Sequence, residues 1–469
     1  MTGQRDIRVG RALLAAMIPL LVVALVAAGG TVLWQRGDLN RYICDGDCGP
    51  SNVIAPTGLA IGTTPADTGV DAADPGPVDP ARLEAAVAPE LDASVLGPRV
   101  GFAAVAPDDG RVLAETGTGS YAPASTTKVL TGFAALTTID PGTRFATTVV
   151  RSGDRIVLVG GGDPYLATEP AGKGDDRVVR ADLTTLARRT AAALDRAGVS
   201  KVSLGYDSSL FTGPDASPAW EPSYVTENIA TRVSALWADQ GIGNGIRADD
   251  PARAAADRFA DLLTGRGISV SGQPSETTAP DGARTVAAVR SATIGQIVET
   301  LIRVSDNQAA EVVLRHVAIA AGEPASFDGG AAAVQDALED ADVDTAGLTL
   351  NDGSGLSRRN RVSPETLVEA LRAASTSSRA SGLLADLPVS GFTGTLVGRF
   401  SQLSTALGSV RAKTGTLSGI HSLAGYAVDA DGRPVVFAVM VDRADKDQPF
   451  QAQAALDRVA AAIASCRCG

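Results

Sequence analysis

A serine and a lysine three residues apart, Ser125 and Lys128, are the two side chains in this sequence best suited to do chemistry. Positions i and i+3 of an α-helix lie on one face, so a hydroxyl and an amine at this spacing can touch. A serine hydroxyl is a poor nucleophile until a nearby base takes its proton, and a lysine becomes that base when burial or a neighbouring positive charge lowers its pKa. Pro123 and the apolar residues of 129–133 predict a helix here. Only one of the chain's five lysines follows a serine at this spacing.

Two further short motifs follow along the chain, Ser305-x-Asn307 and Lys413-Thr414-Gly415, and each occurs only once. Taken singly, a motif of this length is usually an ordinary solvated or packing segment. In this order, on a helix, a helix start and a strand, the three motifs indicate one active site.

The two histidines offer a competing source of a catalytic base. His316 lies in an apolar helical pattern and His421 beside a predicted strand. A Ser-His-Asp triad would need one of them. His316 is interpreted as a core or surface residue, and a Ser–Lys device activates the nucleophile without either histidine.

The three motifs resemble the set found in penicillin-binding proteins and serine β-lactamases. Further stretches are similar to the D-alanyl-D-alanine carboxypeptidase/endopeptidase family of class C low-molecular-mass penicillin-binding proteins. These stretches are residues 157–166, 207–220, 303–311, 352–364 and 387–400. The similarity covers about residues 80 to 460. The 180-residue interval between Ser125 and Ser305 is short for that family, so one inserted domain is expected rather than two.

The resemblance implies three catalytic residues. Ser125 would attack the carbonyl of the penultimate D-alanine, and Lys128 would take its proton as general base. Ser305 would relay the proton to the leaving D-alanine. No metal or other cofactor is implied.

The resemblance also implies a set of substrate-binding residues: Asn307, Lys413, Thr414, Gly415 and Thr416. Asn307 would position the substrate amide and Lys128. Lys413, with Thr414 and Thr416, would recognise the terminal carboxylate, and its charge would favour a neutral Lys128. Gly415 would leave room for the substrate backbone, and the N–H groups of Ser125 and Thr416 would form the oxyanion hole.

These roles predict a serine DD-carboxypeptidase/DD-endopeptidase that cleaves D-alanyl bonds of peptidoglycan stem peptides and is inhibited by β-lactams. A serine β-lactamase is one alternative, which release of bound penicillin would distinguish. A non-catalytic β-lactam sensor or cell-wall scaffold is another. A sensor would need a cytoplasmic output domain, and a scaffold would more often have lost one motif.

The elements around the motifs predict an α/β (α+β) fold of the β-lactamase/transpeptidase type, an antiparallel sheet flanked by helices, with a smaller inserted domain. The predicted boundaries are 79–150 and 286–465 for the two parts of the penicillin-binding domain and 151–285 for the insertion. Residues 100–106 with 111–115, and 421–429 with 434–441, alternate as β-hairpins. Gly160-Gly161-Gly162 is interpreted as a tight turn rather than a phosphate-binding loop. The glycine-rich segment 352–358 either borders the site or is only a turn.

The N-terminus predicts attachment to a membrane. Arginines within residues 1–11, a short cytoplasmic tail, precede an apolar run, 12–34, long enough to cross a bilayer of ~30 Å. A cleaved signal peptide is the alternative. A linker, 35–78, would then hold the catalytic domain on the extracellular (periplasmic) side. The net charge of −12 and the lack of a basic cluster argue against nucleic-acid binding.

Four cysteines, Cys44, Cys48, Cys466 and Cys468, fit an oxidising compartment. They allow three pairings. We expect the two pairs to be joined to each other, because a C-x-C segment is short for a disulfide. A zinc site is the alternative, although no histidine lies near either pair in sequence.

Overall fold

Two large β-sheets, a separate two-stranded hairpin and the helices packed around them make up the described part of the chain. The computed structural model describes residues 76–172 and 178–469. The predicted tail 1–11, anchor 12–34 and Cys44 and Cys48 lie outside these residues, as does all but the end of the linker 35–78. Within the described ranges, no helix is both long and apolar enough to span a bilayer.

The first sheet has five antiparallel strands in the order β11-β12-β13-β1-β2. Its strands are β1 Val100–Val105, β2 Val112–Thr116, β11 Val410–Leu417, β12 Ile420–Val428 and β13 Pro434–Val441. Both predicted hairpins are confirmed, as the pairs β1–β2 and β12–β13. The lysine motif lies on β11, which is an edge strand.

The second sheet has a mixed topology and follows the order β10-β3-β4-β5-β8, with β9 also paired to β5. Its strands are β3 Arg144–Ser152, β4 Arg155–Val159, β5 Lys201–Asp207, β8 Ser269–Val270, β9 Ser275–Glu276 and β10 Arg284–Thr293. A two-stranded hairpin, β6 Ile242–Gly243 with β7 Ile246–Arg247, lies apart. The sheet therefore takes its strands from residues 144–293, and the domain boundaries stay a prediction.

Eleven α-helices are seen in the described ranges. They are α1 Pro80–Leu91, α2 Thr127–Thr138, α3 Leu183–Arg196, α4 Ser223–Thr226, α5 Pro251–Thr264, α6 Ile294–Val304, α7 Asn307–Ala321, α8 Phe327–Glu339, α9 Pro364–Thr376, α10 Gly382–Asp386 and α11 Pro449–Ser465. Asp79 caps α1 by accepting from the N–H of Ala81, and Pro80 takes the first helical position.

The first sheet is buried on both faces, which explains the uninterrupted apolar run of β13. Alternate β13 residues belong to different cores, because successive side chains of a strand point to opposite faces. Ala438 and Met440 pack in the core that contains Phe133 of α2. Phe437 and Val439 pack in the core formed with α1 and α11. The predicted mixed α/β fold with helices flanking the sheets is confirmed.

The C-terminal cysteines contradict the expected joining of the two pairs. Cys466 is disulfide-bonded to Cys468, with 5.3 Å between their Cα atoms. That separation lies inside the range of ordinary disulfides. Helix α11 ends at Ser465 and Cys466 is extended, so a C-x-C segment outside a helix is long enough to bridge.

Candidate active site

The Ser125-x-x-Lys128 motif begins in a turn of 3₁₀-helix, Ala124–Thr126, that runs into α2. Ser125 Oγ lies 3.0 Å from Lys128 Nζ. Ala124 has the left-handed backbone that non-glycine residues rarely adopt, with φ of 47°. Gly355 packs closely against this turn, since a Cβ at residue 355 would meet Ala124 O at 1.8 Å. The loop that contains Gly355 is thus in direct contact with the turn on which Ser125 lies.

Lys128 is fully buried and its Nζ has three oxygen partners. They are Ser125 Oγ, Asn307 Oδ1 at 2.7 Å and the backbone carbonyl of Ser354 at 2.6 Å. Burial lowers the pKa of Lys128 to about 8, although the nearby carboxylates, Glu311 foremost, act in the opposite direction. A lysine with this pKa can lose its proton near neutral pH and serve as a base.

The Ser305-Asp306-Asn307 motif forms the corner between α6 and α7. Ser305 ends α6 in a left-handed conformation, φ 60°, and Asp306 caps α7 by accepting from the N–H of Ala309 at 3.0 Å. Asp306 is structural, as its variable position in the motif suggests. The corner places Asn307 within hydrogen-bonding distance of Lys128, and Ser305 within hydrogen-bonding distance of Lys413.

Lys413 is the second fully buried lysine of the site. Its Nζ donates to Ser305 Oγ at 2.9 Å and to the Thr414 carbonyl at 2.8 Å. Burial, and then the charge of Lys128, hold the pKa of Lys413 well below its ordinary value. The charge of Lys128 therefore lowers the pKa of Lys413, as expected for two neighbouring lysines. Burial is the main cause of the lowered pKa of Lys128.

The residues after Lys413 line the edge of the sheet. Thr414 Oγ1 donates to Thr395 Oγ1 at 3.0 Å, and Thr416 is exposed. A Cβ at Gly415 would meet Ser422 Oγ at 2.1 Å and Pro123 O at 2.5 Å. These protein atoms alone require glycine at this position, and the expected room for the substrate backbone stays a prediction.

A buried loop, 352–360, contributes groups that sequence reasoning missed. Asp352 accepts from the N–H of Gly355 and Ser357, from Asn360 Nδ2 and from Trp220 Nε1. The loop therefore borders the site directly, because its Ser354 carbonyl contacts Lys128. A mobile surface turn would not need a fully buried aspartate with four donors.

Glu311 is the second group missed. It is fully buried and accepts from the N–H of Gly353 and of Ser354, both at 2.9 Å. A signal existed in the sequence, since Glu311 follows Asn307 by four residues and so lies on the same face of α7.

Neither histidine takes part in the contacts of Ser125 and Lys128 in the described residues. His316 Nε2 lies 2.8 Å from Gly162 O and its ring stacks on Phe145. The structure contains no group of three His, Cys, Asp or Glu side chains able to hold a metal within those same ranges.

Comparison with known proteins identifies the family. The model of the D-Ala-D-Ala carboxypeptidase 3 (S13) family matches residues 83–244 and 240–463. The chain belongs to the S13 family. Among S13-like relatives, Carboxypeptidase Rv3627c of Mycobacterium tuberculosis is 36% identical over 363 residues, 74% of this chain and 76% of that protein.

Solved structures share the fold of this chain. Penicillin binding protein 4 (dacB) from Haemophilus influenzae matches with a TM-score of 0.67 and 22% identity, over 81% of this chain and 99% of that one. The same protein complexed with a novel beta-lactam matches with a TM-score of 0.61 and 23% identity, over 80% and 98%.

Proposed function

We propose that this chain is a serine DD-carboxypeptidase/DD-endopeptidase that cleaves D-alanyl peptide bonds of peptidoglycan stem peptides through an acyl-enzyme on Ser125. The observation that carries the proposal is the position of Lys128 Nζ, 3.0 Å from Ser125 Oγ and bonded to Asn307. Membership of the S13 family supports the reaction class.

In the proposed acylation step, the Ser125 hydroxyl proton passes to neutral Lys128 while Oγ attacks the carbonyl before the terminal D-alanine. The negative charge that forms on the carbonyl oxygen would be held by the N–H groups of Ser125 and Thr416. Such donors are worth ~3–4 kcal/mol in comparable enzymes. Gly415 supports this placement, because an added Cβ there would lie 3.1 Å from Ser125 N.

Departure of D-alanine needs a proton on its nitrogen. Ser305, hydrogen-bonded to Lys413, is the proposed relay for the proton held by Lys128. Water then takes the place of D-alanine, and its oxygen attacks the acyl carbonyl while Lys128 takes the water proton. The bond between Ser125 Oγ and the acyl carbon breaks, and Oγ receives that proton as the peptide leaves with a free carboxyl group.

Recognition of substrate would fall to the edge strand and the α6–α7 corner. Asn307 would bind the substrate amide, and Lys413, Thr414 and Thr416 the terminal carboxylate. Along Lys413–Leu417 the described structure pairs β11 only with β12, so its outer edge is available to an extended peptide.

The proposed setting is the outer face of the cell membrane, with residues 12–34 as anchor. β-Lactams are proposed inhibitors, as the Haemophilus influenzae relative has been crystallised with one. A β-lactamase would release bound penicillin quickly, whereas a DD-peptidase keeps it bound.

The first test is labelling of the full chain in detergent with a fluorescent penicillin, with Ser125→Ala and the exposed-serine control Ser200→Ala. We expect stable label on the wild type and on Ser200→Ala, and none on Ser125→Ala. Release of D-alanine from an acyl-D-alanyl-D-alanine peptide should follow the same pattern. A folded wild type that takes no label and releases no D-alanine would contradict the proposal and favour a scaffold.

A further inference from the structure

We propose that Glu311 is a positioning residue of the Ser–Lys device: its carboxylate holds the Ser354 peptide unit on Lys128 and supplies the negative charge that the lysine needs when it takes the Ser125 proton. This inference rests on the proposed function for its catalytic meaning, but the contacts that carry it are independent of the substrate.

One peptide unit links the two charged groups. The N–H of Ser354 donates to Glu311 Oε1 at 2.9 Å, and the carbonyl of the same residue accepts from Lys128 Nζ at 2.6 Å. The N–H of Gly353 donates to Glu311 Oε2, so both carboxylate oxygens are used. A carboxylate can accept at both oxygens, whereas an amide would direct a donor at one of the N–H groups.

Helix geometry places Glu311 for this task. Asn307 and Glu311 lie one turn apart on α7, and Ser125, Lys128 and Thr131 lie on the facing side of the nucleophile helix. The loop passes between them, with the Gly353 carbonyl accepting from Thr131 Oγ1 at 2.8 Å. Glu311 thus fixes one side of the loop by charge and Thr131 the other side by a neutral hydrogen bond.

The electrostatic surroundings contain few groups. Lys128 is affected by Glu311, Asp352 and Asp306, all of which favour its charged form, and it lies near Lys413. Glu311 is affected by Asp352, and its charge in turn influences Arg315 one turn further along α7.

Burial raises the pKa of Glu311 to about 7, with the charge of Asp352 acting in the same direction. Above that pH the carboxylate is ionised and stabilises the Lys128 ammonium. Its removal should lower the pKa of Lys128 further.

The test uses Glu311→Gln in the full chain, with two readouts. The first is an NMR titration with ¹³C-labelled lysine, which is practical because the chain has only five lysines and the Lys128 signal is assigned by its loss in Lys128→Ala. We expect the Lys128 midpoint to fall by about one pH unit, the size typical of removing one nearby charge. The second is the pH profile of penicillin acylation, whose acidic limb should shift equally and whose plateau should fall.

Thr131→Val is the matched control, because it removes a buried hydrogen bond to the same loop without removing a charge. It should lower stability and leave the Lys128 midpoint unchanged. A Glu311→Gln midpoint that coincides with the wild type would overturn the inference. A wild type that is never acylated would overturn the proposed function alone, since the NMR titration still reads the effect of Glu311.

Glu311→Asp keeps the charge on a side chain one methylene shorter and covers the case in which the glutamine variant does not fold. We expect an unchanged Lys128 midpoint with slower acylation, because the Ser354 carbonyl is displaced. Acylation at the wild-type rate would show that Glu311 does not position this carbonyl.

Discussion

Single residues in the site show how the protein keeps two lysines out of water. Removing an ammonium group from water is unfavourable by several kcal/mol unless its donors are bonded. Lys128 has three oxygen partners and Lys413 has two. Burial therefore favours the neutral form of Lys128, which a base requires. Its N–H donors nevertheless keep their oxygen partners.

Gly415 illustrates a residue whose role is set by crowding. In Gly415→Ala, the added Cβ meets the Ser422 hydroxyl and the Pro123 carbonyl, and the second of these is backbone that cannot rotate away. We expect a loss of stability of about 1–3 kcal/mol, the range for overpacking, and slower acylation. Thermal unfolding and penicillin labelling measure the two effects.

Gly382→Ala is the control for this prediction, since it lies in α10 and a Cβ there has nothing within 4 Å. It should leave both quantities unchanged or raise stability slightly. Equal effects of the two substitutions would contradict the crowding argument.

The motif residues were predictable from sequence because their chemistry depends on short spacings. Ser125 and Lys128 lie on adjoining helical turns, and the Ser305–Asn307 corner needs only three residues. Glu311 was missed because its partners in the loop lie 42 or more residues away in the sequence. For Asp352, three donors are close in sequence, but the fourth, Trp220, lies 132 residues away, and burial of the loop is visible only in the folded chain.

The segment between the first two motifs contacts both the buried loop 352–360 and the α6–α7 corner. Trp220 Nε1 donates to Asp352 at 2.8 Å on the buried loop. Gln240 Nε2 donates to Asp306 at 2.7 Å, beside Ser305. The segment therefore has a role in positioning as well as in packing.

Trp220→Phe tests this role by removing one of the four donors to Asp352. The loss of a hydrogen bond to a buried charged acceptor should lower stability by roughly 1–3 kcal/mol. Acylation per folded molecule should also slow, because Asp352 shapes the loop whose carbonyl contacts Lys128. Denaturant unfolding and stopped-flow acylation would measure both.

Trp237→Phe is matched to it, since the Trp237 indole is also buried and donates to the Asp163 carbonyl away from the loop. It should lower stability while leaving acylation of the folded protein unchanged. If both variants acylate at the wild-type rate, the contact of Trp220 is structural only.

The two hairpins could be predicted because apolar alternation and turn residues act locally. The predicted cysteine pairing was wrong because the C-x-C spacing does not show that helix α11 ends at Ser465. Cys466 is therefore extended and can bond to Cys468. The parallel pairing of β4 with β5 joins strands that are far apart in the sequence, and the apolar pattern of a strand does not indicate its partner.

For the molecule as a whole, buried ionisable groups outside the site affect the pH dependence of stability. Burial raises the pKa of Asp163 to about 7 and lowers that of His316 to about 4. In the folded state Asp163 keeps its proton up to about pH 7, while the unfolded chain loses it near the ordinary value of 3.8. The Asp163 contribution to stability therefore falls as pH rises from about 4 to 7. The His316 contribution has the opposite sign and is lost as pH falls from 6.5 to 4.

Asp163→Asn should remove the first of these contributions. Relative to wild type, the variant should gain roughly 2–3 kcal/mol between pH 5 and pH 8, since each unit of pKa difference corresponds to about 1.4 kcal/mol. Denaturant unfolding of both proteins at pH 5 and pH 8 measures this gain. The contributions of His316 and other groups cancel because both proteins contain them.

Asp281→Asn, at an exposed turn, is the matched removal of a carboxylate. The free energy of unfolding of Asp281→Asn should change between pH 5 and pH 8 by the same amount as that of the wild type. A pH difference in Asp163→Asn equal to that of the wild type would show that this aspartate ionises in the folded protein as freely as in the unfolded chain.

The left-handed backbone at Ala124 and Ser305 sets the limits of stability engineering in this protein. Glycine would relieve the strain at either position. At 124 the exchange removes only a methyl group, so a search for thermostable variants scored by melting temperature would favour it. At 305 it deletes the hydroxyl that Lys413 bonds and leaves a buried ammonium one partner short, which offsets the relief of strain. Selection for heat resistance would therefore replace Ala124 and retain Ser305.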